Sequence, residues 1–99
     1  MRSSQSWGDV RIARRYLISG RVQGVGFRYF TQHVAVRHGI SGWVRNTPDG
    51  RVEIEAEGDD QAMRQFENQV SAGPAGAHVD LVDTREISVG PVHSGFSIR

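Results

Sequence analysis

The segment of this 99-residue chain best suited to chemistry runs from Gly20 to Arg28 and reads GRVQGVGFR. A strand-like stretch ends here, glycines bend the backbone, and a helical pattern begins. Such a junction directs several backbone N–H groups into one concavity and adds the positive end of a helix dipole, which suits phosphate. Arg28 falls in the first helical turn, where its planar guanidinium could hold two phosphate oxygens. Taken alone, the segment is equally compatible with a simple tight turn.

Several other kinds of chemistry are excluded by what the chain lacks. The glycines fit neither GxxxxGK[ST] nor GxGxxG, so nucleotide and dinucleotide loops are not indicated. All 12 basic residues are arginine, and there is no cysteine. Lysine Schiff bases, thiol nucleophiles, thiolate zinc sites and disulfides are therefore excluded. No GxSxG occurs, so a nucleophilic serine elbow is not indicated either.

The histidines do not form a metal-binding pattern. There are four of them: His33, His38, His78 and His93. His33 and His38 are five residues apart, which does not place them on one helical face, and there is no HExxH motif. We therefore expect no metal site and no cofactor.

The elements that must position the glycine segment can be predicted from the periodicity of apolar residues. Strands are predicted over 15–22, 40–46, 51–57 and 79–89, with a short fifth at Phe96 and Ile98, and helices over 27–38 and from about 60 to the Gly73-Pro74 pair. Thr47-Pro48-Asp49-Gly50 is a strong turn signal between the second and third strands. This order predicts an α+β fold of the ferredoxin-like βαββαβ type, with both helices on one face of an antiparallel sheet.

Three details of packing follow from the same pattern. Glu53, Glu55 and Glu57 alternate with apolar residues and are interpreted as a solvated face of the third strand. Tyr16 is bulky for an inward strand position. His38 lies on the apolar stripe of the first helix, so we expect a neutral, hydrogen-bonded histidine at the edge of the core.

Length and charge predict one domain over residues 11–99, preceded by a flexible tail over 1–10. The formal net charge is +1, which provides no general attraction to nucleic acid or to acidic membranes. The first residues lack the apolar run of a signal peptide, and no segment approaches the ~18 apolar residues of a membrane span. We expect a cytoplasmic monomer.

Two separate stretches of the chain resemble the acylphosphatase family. Gly20 to Arg28 resembles the family's first motif, glycine, any residue, Val-Gln-Gly-Val, any residue, Phe-Arg. Gly42-Trp43-Val44-Arg45-Asn46, followed by Gly50, Val52 and Gly58, resembles the second. The two occur in the family's order and separation, and the resemblance covers about residues 13–99.

The resemblance implies a metal-free hydrolase that acts on small-molecule acyl phosphates. Its phosphate-binding residues would be Gln23, Gly24, Val25, Gly26, Phe27 and Arg28, with the loop contributing backbone N–H groups. Arg28 would also be catalytic, and Asn46 would orient the attacking water; without the resemblance, Asn46 would be interpreted as an ordinary turn residue. Inorganic phosphate would be both product and inhibitor.

Two other functions share this predicted fold. RNA-binding RRM domains have the same element order, but they place aromatic residues where this chain has Glu53, Glu55 and Glu57. A non-catalytic binding or regulatory domain is the second alternative. Acylphosphatase-like domains also occur in hydrogenase-maturation proteins, which carry cysteine-rich zinc segments that this chain lacks.

Overall fold

The structure is a computed structural model that describes residues 10–90 and 95–99. The described elements are β1 (Arg11–Arg21), α1 (Phe27–Arg37), β2 (Ser41–Asn46), β3 (Val52–Asp59), α2 (Asp60–Ala72), β4 (His78–Ile87) and β5 (Phe96–Ile98). Of the predicted tail, only Val10 is among the described residues; the rest of it, including Trp7, lies outside them, and so does His93. The backbone oxygen of Val10 accepts a hydrogen bond of 3.0 Å from the amide of Asp60.

The five described strands form one mixed sheet in the order β4-β1-β3-β2-β5. β3 lies antiparallel between β1 and β2, and β4 is antiparallel to β1. β5 is parallel to β2. This is the split βαβ arrangement predicted from the element order, so the α+β, ferredoxin-like fold is confirmed.

The core lies between the two helices and one face of the sheet. Both helices contribute residues to a single cluster with the inward positions of β1, β2 and β3. The fully buried large side chains of this cluster include Tyr16, Ile18, Phe27, Val34, Val44, Val52, Ile54, Met63 and Phe66. The cluster fixes the start of α1 against the sheet, because Phe27 is only 2% exposed.

Element boundaries differ from the prediction where long-range pairing decides them. β1 begins at Arg11 because it pairs with β3 from Arg11 opposite Asp59 to Ile18 opposite Val52. α2 begins after Asp59, whose carboxylate accepts a hydrogen bond of 2.8 Å from the amide of Ala62. That is the expected side-chain cap at a helix N-terminus. No helix in the described part of the chain is long and apolar enough to cross a membrane.

The glutamate face of β3 is not solvated, as the alternation had predicted, but covered by arginines. Glu53 and Glu57 are 8% and 3% exposed. Arg15 and Arg45 both reach Glu53, at 3.4 and 2.6 Å, and Arg11 reaches Glu57 at 3.3 Å. The arginines come from β1 and β2 on either side of β3, a pairing that the pattern of β3 alone cannot reveal.

Two other side chains find polar partners at the edge of the core. The hydroxyl of Tyr16 donates a hydrogen bond of 2.9 Å to Glu67 on α2. Burial, together with the neighbouring Glu67 carboxylate, raises the pKa of the Tyr16 hydroxyl, which therefore stays protonated as a donor. His38 is half-buried, and its Nε2 lies 3.0 Å from the side-chain nitrogen of Gln69, which agrees with a hydrogen-bonded histidine at the edge of the core.

Candidate active site

The glycine segment forms a short loop between β1 and α1. Gly24 and Gly26 have φ angles of 76° and 77°, in the left-handed region that glycine adopts readily. A Cβ added to either would meet no atom within 4 Å. Backbone conformation, and not lack of space, is therefore what calls for glycine at these two positions.

Helix α1 begins directly after the loop, and no side chain caps its N-terminus. Phe30 is the residue whose amide bonds back to Gly26, at 3.0 Å, so the amides of Phe27, Arg28 and Tyr29 have no partner within α1. Gly26 is the N-cap, no side chain caps the helix, and its first turn contains no acidic residue. The partial positive charge of this terminus is thus left for an anion.

Gln23 ties the loop to the turn between β2 and β3. Its side-chain Nε2 donates to the backbone oxygens of Thr47 and Arg51, at 2.8 and 2.9 Å. Thr47 directly follows Asn46. The side chain of Gln23 therefore sets the distance between the loop and the end of β2, a function separate from the backbone contact implied by the family motif.

The turn between β2 and β3, which Gln23 contacts, is stabilised by hydrogen bonds of its own. The Thr47 amide donates to the Arg51 oxygen at 2.8 Å, and the Arg51 amide donates to the Thr47 hydroxyl at 2.9 Å. Hydrogen bonds from Arg51 and from the Thr47 hydroxyl lower the pKa of the exposed Asp49 carboxyl to about 2. The turn thus keeps its charged contacts at neutral pH.

Arg28 is half-buried at the first turn of α1 and faces β5. Its Nη1 donates to the backbone oxygen of Arg99 at 3.2 Å, and the Arg99 amide donates to the Val44 oxygen at 2.8 Å. Within residues 10–90 and 95–99, this is the only hydrogen bond that the side chain of Arg28 makes. A guanidinium carries five N–H donors, so most of them are free for a ligand.

Asn46 ends β2, two residues beyond Val44. Its side-chain Oδ1 is buried and has no hydrogen-bond partner among the described residues. Leaving a buried acceptor unpaired costs about 1–3 kcal/mol. Asn46 as a whole is only partly buried, so its side-chain amide lies near the surface with no described hydrogen bond that fixes the orientation of Oδ1.

The predicted site residues therefore converge on one end of the sheet. Contacts from the loop and from α1 reach the backbone on both sides of Asn46: Gln23 at Thr47, and Arg28 at Val44 through Arg99. The side chain of Val25 packs partly against the core and that of Phe27 is buried in it, so both could meet a ligand only through their backbone.

Sequence reasoning missed two contributors to this arrangement. One is the side chain of Gln23, a long polar group in a segment otherwise made of glycine and valine, which could have been noticed. The other is Arg99, for which the sequence contains no signal. In the part of the chain that the structure describes, no group of three or more His, Cys, Asp or Glu side chains could hold a metal ion.

Known acylphosphatases are similar to this chain in sequence. A family model described as Acylphosphatase matches residues 14–98. The chain is 49% identical over 81 residues to an acylphosphatase of Koribacter versatilis, covering 82% of this chain and 74% of that one. It is 45% identical over 91 residues to one of Salinibacter ruber, covering 92% and 94%.

The fold agrees as well. The structure matches the crystal structure of acylphosphatase from Bacillus subtilis with a TM-score of 0.85 and 43% identity, covering 89% of this chain and 98% of that chain. Family model, sequence relatives and fold point to the same enzyme class. The chain therefore belongs to the acylphosphatase family, the hydrolases of acyl phosphates.

Proposed function

We propose that Arg28 and the loop from Gln23 to Phe27 hold the phosphoryl group of an acyl phosphate, and that Asn46 orients the water that attacks it. The observation that carries the proposal is that Gln23 and, through Arg99, Arg28 bring the loop and the first turn of α1 to the end of β2, where Asn46 lies. The Oδ1 of Asn46 has no partner among the described residues, so rotation of this side chain toward a water beside the bound phosphoryl group gives the oxygen a hydrogen bond that it otherwise lacks.

Binding depends on the charge and geometry of the donors. The phosphoryl group lies against the uncapped N-terminus of α1, where loop and first-turn amides donate to its oxygens. Arg28 keeps Nη1 on the Arg99 oxygen and presents its remaining N–H groups to two phosphoryl oxygens. Gln23 holds the loop at a fixed distance from Asn46.

The reaction then requires little more than positioning. A water molecule donates one O–H to Oδ1 of Asn46, which directs its lone pair at phosphorus. A bond forms between the water oxygen and phosphorus while the bond from phosphorus to the acyl oxygen breaks in line with it. The products are a carboxylate and inorganic phosphate, and a phosphoryl oxygen takes up the water's proton. Positioning and electrostatic stabilisation carry phosphoryl transfer generally.

The leaving group explains why no further catalytic group is needed. A carboxylate has a low pKa and departs without protonation, so a general acid contributes little. The proposal therefore includes no metal, no cofactor and no covalent nucleophile. It also makes inorganic phosphate a competitive inhibitor, and it requires only one copy of the chain.

The test is hydrolysis of benzoyl phosphate by the purified protein, with and without excess EDTA. We expect the same rate in both, and competitive inhibition by inorganic phosphate. Loss of activity on chelation, restored by Zn²⁺ or Mg²⁺, would refute the mechanism. Phosphate binding without any hydrolysis would instead favour a non-catalytic binding domain.

A further inference from the structure

Arg99 joins two parts of the molecule that are far apart in sequence. It follows β5, a strand of only three residues that pairs in parallel with β2. Its amide donates to the Val44 oxygen at 2.8 Å, and its own backbone oxygen accepts from Arg28 at 3.2 Å. The position of the Arg99 backbone thus decides where Nη1 of Arg28 is held.

The side chain of Arg99 is held from the opposite face of the sheet. Its guanidinium carbon lies 4.6 Å from the ring centroid of Trp43. Trp43 is on β2, on the face that carries no helix, and yet it is only 8% exposed. A cation over an indole ring at this distance is a favourable cation–π contact, and tryptophan is the best partner for it.

A second residue of α1, besides Arg28, makes a hydrogen bond to the β5 segment. Gln32, one turn after Arg28, donates from its Nε2 to the Phe96 oxygen at 3.0 Å. Residues four apart on a helix share a face, so Arg28 and Gln32 hold the two ends of β5 from one side. Gln32 secures its beginning, and the contact between Trp43 and Arg99 secures the end that receives Arg28.

We propose that Trp43 and Arg99 are positioning residues for Arg28, an inference that rests on the phosphate-binding role proposed for that arginine. The cation–π contact with Trp43 holds Arg99 in place, so the Arg99 oxygen fixes one N–H of Arg28 and leaves the rest of the guanidinium directed to the phosphoryl group. Without this contact, the end of β5 becomes more mobile, and Arg28 adopts orientations that do not bind phosphate.

The test compares phosphate affinity and kinetics in Arg99→Ala, Trp43→Leu and the double variant. Arg99→Ala should weaken phosphate binding and raise KM by about 2- to 5-fold, the factor that one partly exposed cation–π contact supplies. kcat should change less, because a bound phosphoryl group still meets the same water. Trp43→Leu should have a similar effect, and the double variant should be little worse than either.

Two comparisons separate positioning from simple destabilisation. Arg99→Lys keeps a cation over the ring and should recover most of the affinity. Arg64→Ala, which removes an exposed arginine from α2, should behave as the wild type. The effect of Arg99→Ala should shrink when it is added to Arg28→Lys, because the group being positioned is already impaired.

The outcomes are distinguishable. Wild-type affinity and KM in Arg99→Ala would overturn the inference even if Trp43→Leu failed to fold. So would a loss that is undiminished in the Arg28→Lys background. If Arg28→Lys alone left phosphate affinity unchanged, the proposed role of Arg28 would fail first, and this inference would fall with it.

Discussion

Arg28 and Asn46 differ in their surroundings in a way that matches different roles. Arg28 is half-buried and commits one N–H to a backbone oxygen, so it is anchored but still has donors to offer. Asn46 has a buried acceptor with no partner among the described residues. These surroundings are consistent with the proposed roles, in which Arg28 holds the charged phosphoryl group and Asn46 orients a neutral water.

Replacing Arg28 by lysine should impair both binding and turnover. Lysine keeps the charge but cannot bind two phosphoryl oxygens with one planar group. One lost charge-assisted hydrogen bond corresponds to roughly 10- to 100-fold, so we expect the phosphate inhibition constant and KM to rise and kcat to fall. The matched control is Arg37→Lys, in the last turn of α1. Wild-type kinetics in Arg28→Lys would show that its role is misassigned.

Replacing Asn46 by alanine should lower kcat by about 100-fold or more, the typical loss when one hydrogen bond made mainly in the transition state is removed. The phosphate inhibition constant should change little. The free energy of unfolding should not fall, because the Oδ1 that is removed has no partner to lose.

Steady-state kinetics and denaturant unfolding measure both parts of the Asn46 prediction. Asn68→Ala, an exposed position on α2, is the control for an amide removed elsewhere. Retained turnover with a marked loss of phosphate affinity would show that Asn46 binds the phosphoryl group and does not orient the water.

At the scale of elements, the site depends on the backbone conformation of the loop between β1 and α1. Gly26 has a φ of 77° and precedes the helix directly. It sets the direction in which the first amides of α1 point. Gln23 then fixes this loop against the turn after β2, so that two elements distant in sequence keep a constant separation.

Gly26→Val and Gly26→Asn form a matched pair that tests the loop. A Cβ at this position meets open space, so neither change causes a clash. Valine disfavours the left-handed conformation, at a cost of about 1–2 kcal/mol, whereas asparagine tolerates it. We therefore expect Gly26→Val to weaken phosphate binding by roughly 10-fold and Gly26→Asn to weaken it much less, as measured by calorimetry. Wild-type phosphate binding in both variants would show that the conformation of the loop is not needed for binding.

At the scale of the whole molecule, local patterns predicted what depends on short stretches of sequence. The alternation at Tyr16 and Ile18, the turn at Thr47–Gly50 and the loop glycines each determine their own structure, and the fold followed from their order. The cover over Glu53 and the contact of Arg99 with Trp43 could not be predicted. Both bring together residues from different strands, and only the register of the assembled sheet decides which ones meet.

Phosphate should stabilise the folded protein, because a ligand that binds only the native state raises the free energy of unfolding by mass action. At ten times its dissociation constant the gain is about 1.4 kcal/mol. For a domain of this size, that corresponds to a rise in Tm of roughly 5–10 °C. Sodium chloride at equal ionic strength is the control for salt effects. If the Tm responds equally to both salts, the protein has no specific phosphate site.

The central claim is that a water molecule attacks phosphorus, and not the acyl carbon, of the bound substrate. Hydrolysis of benzoyl phosphate in water enriched in ¹⁸O tests this directly, because the attacked atom keeps the label. After subtraction of the spontaneous reaction, the mechanism predicts ¹⁸O in inorganic phosphate and none in benzoate. Label in the benzoate formed by the enzyme would contradict it.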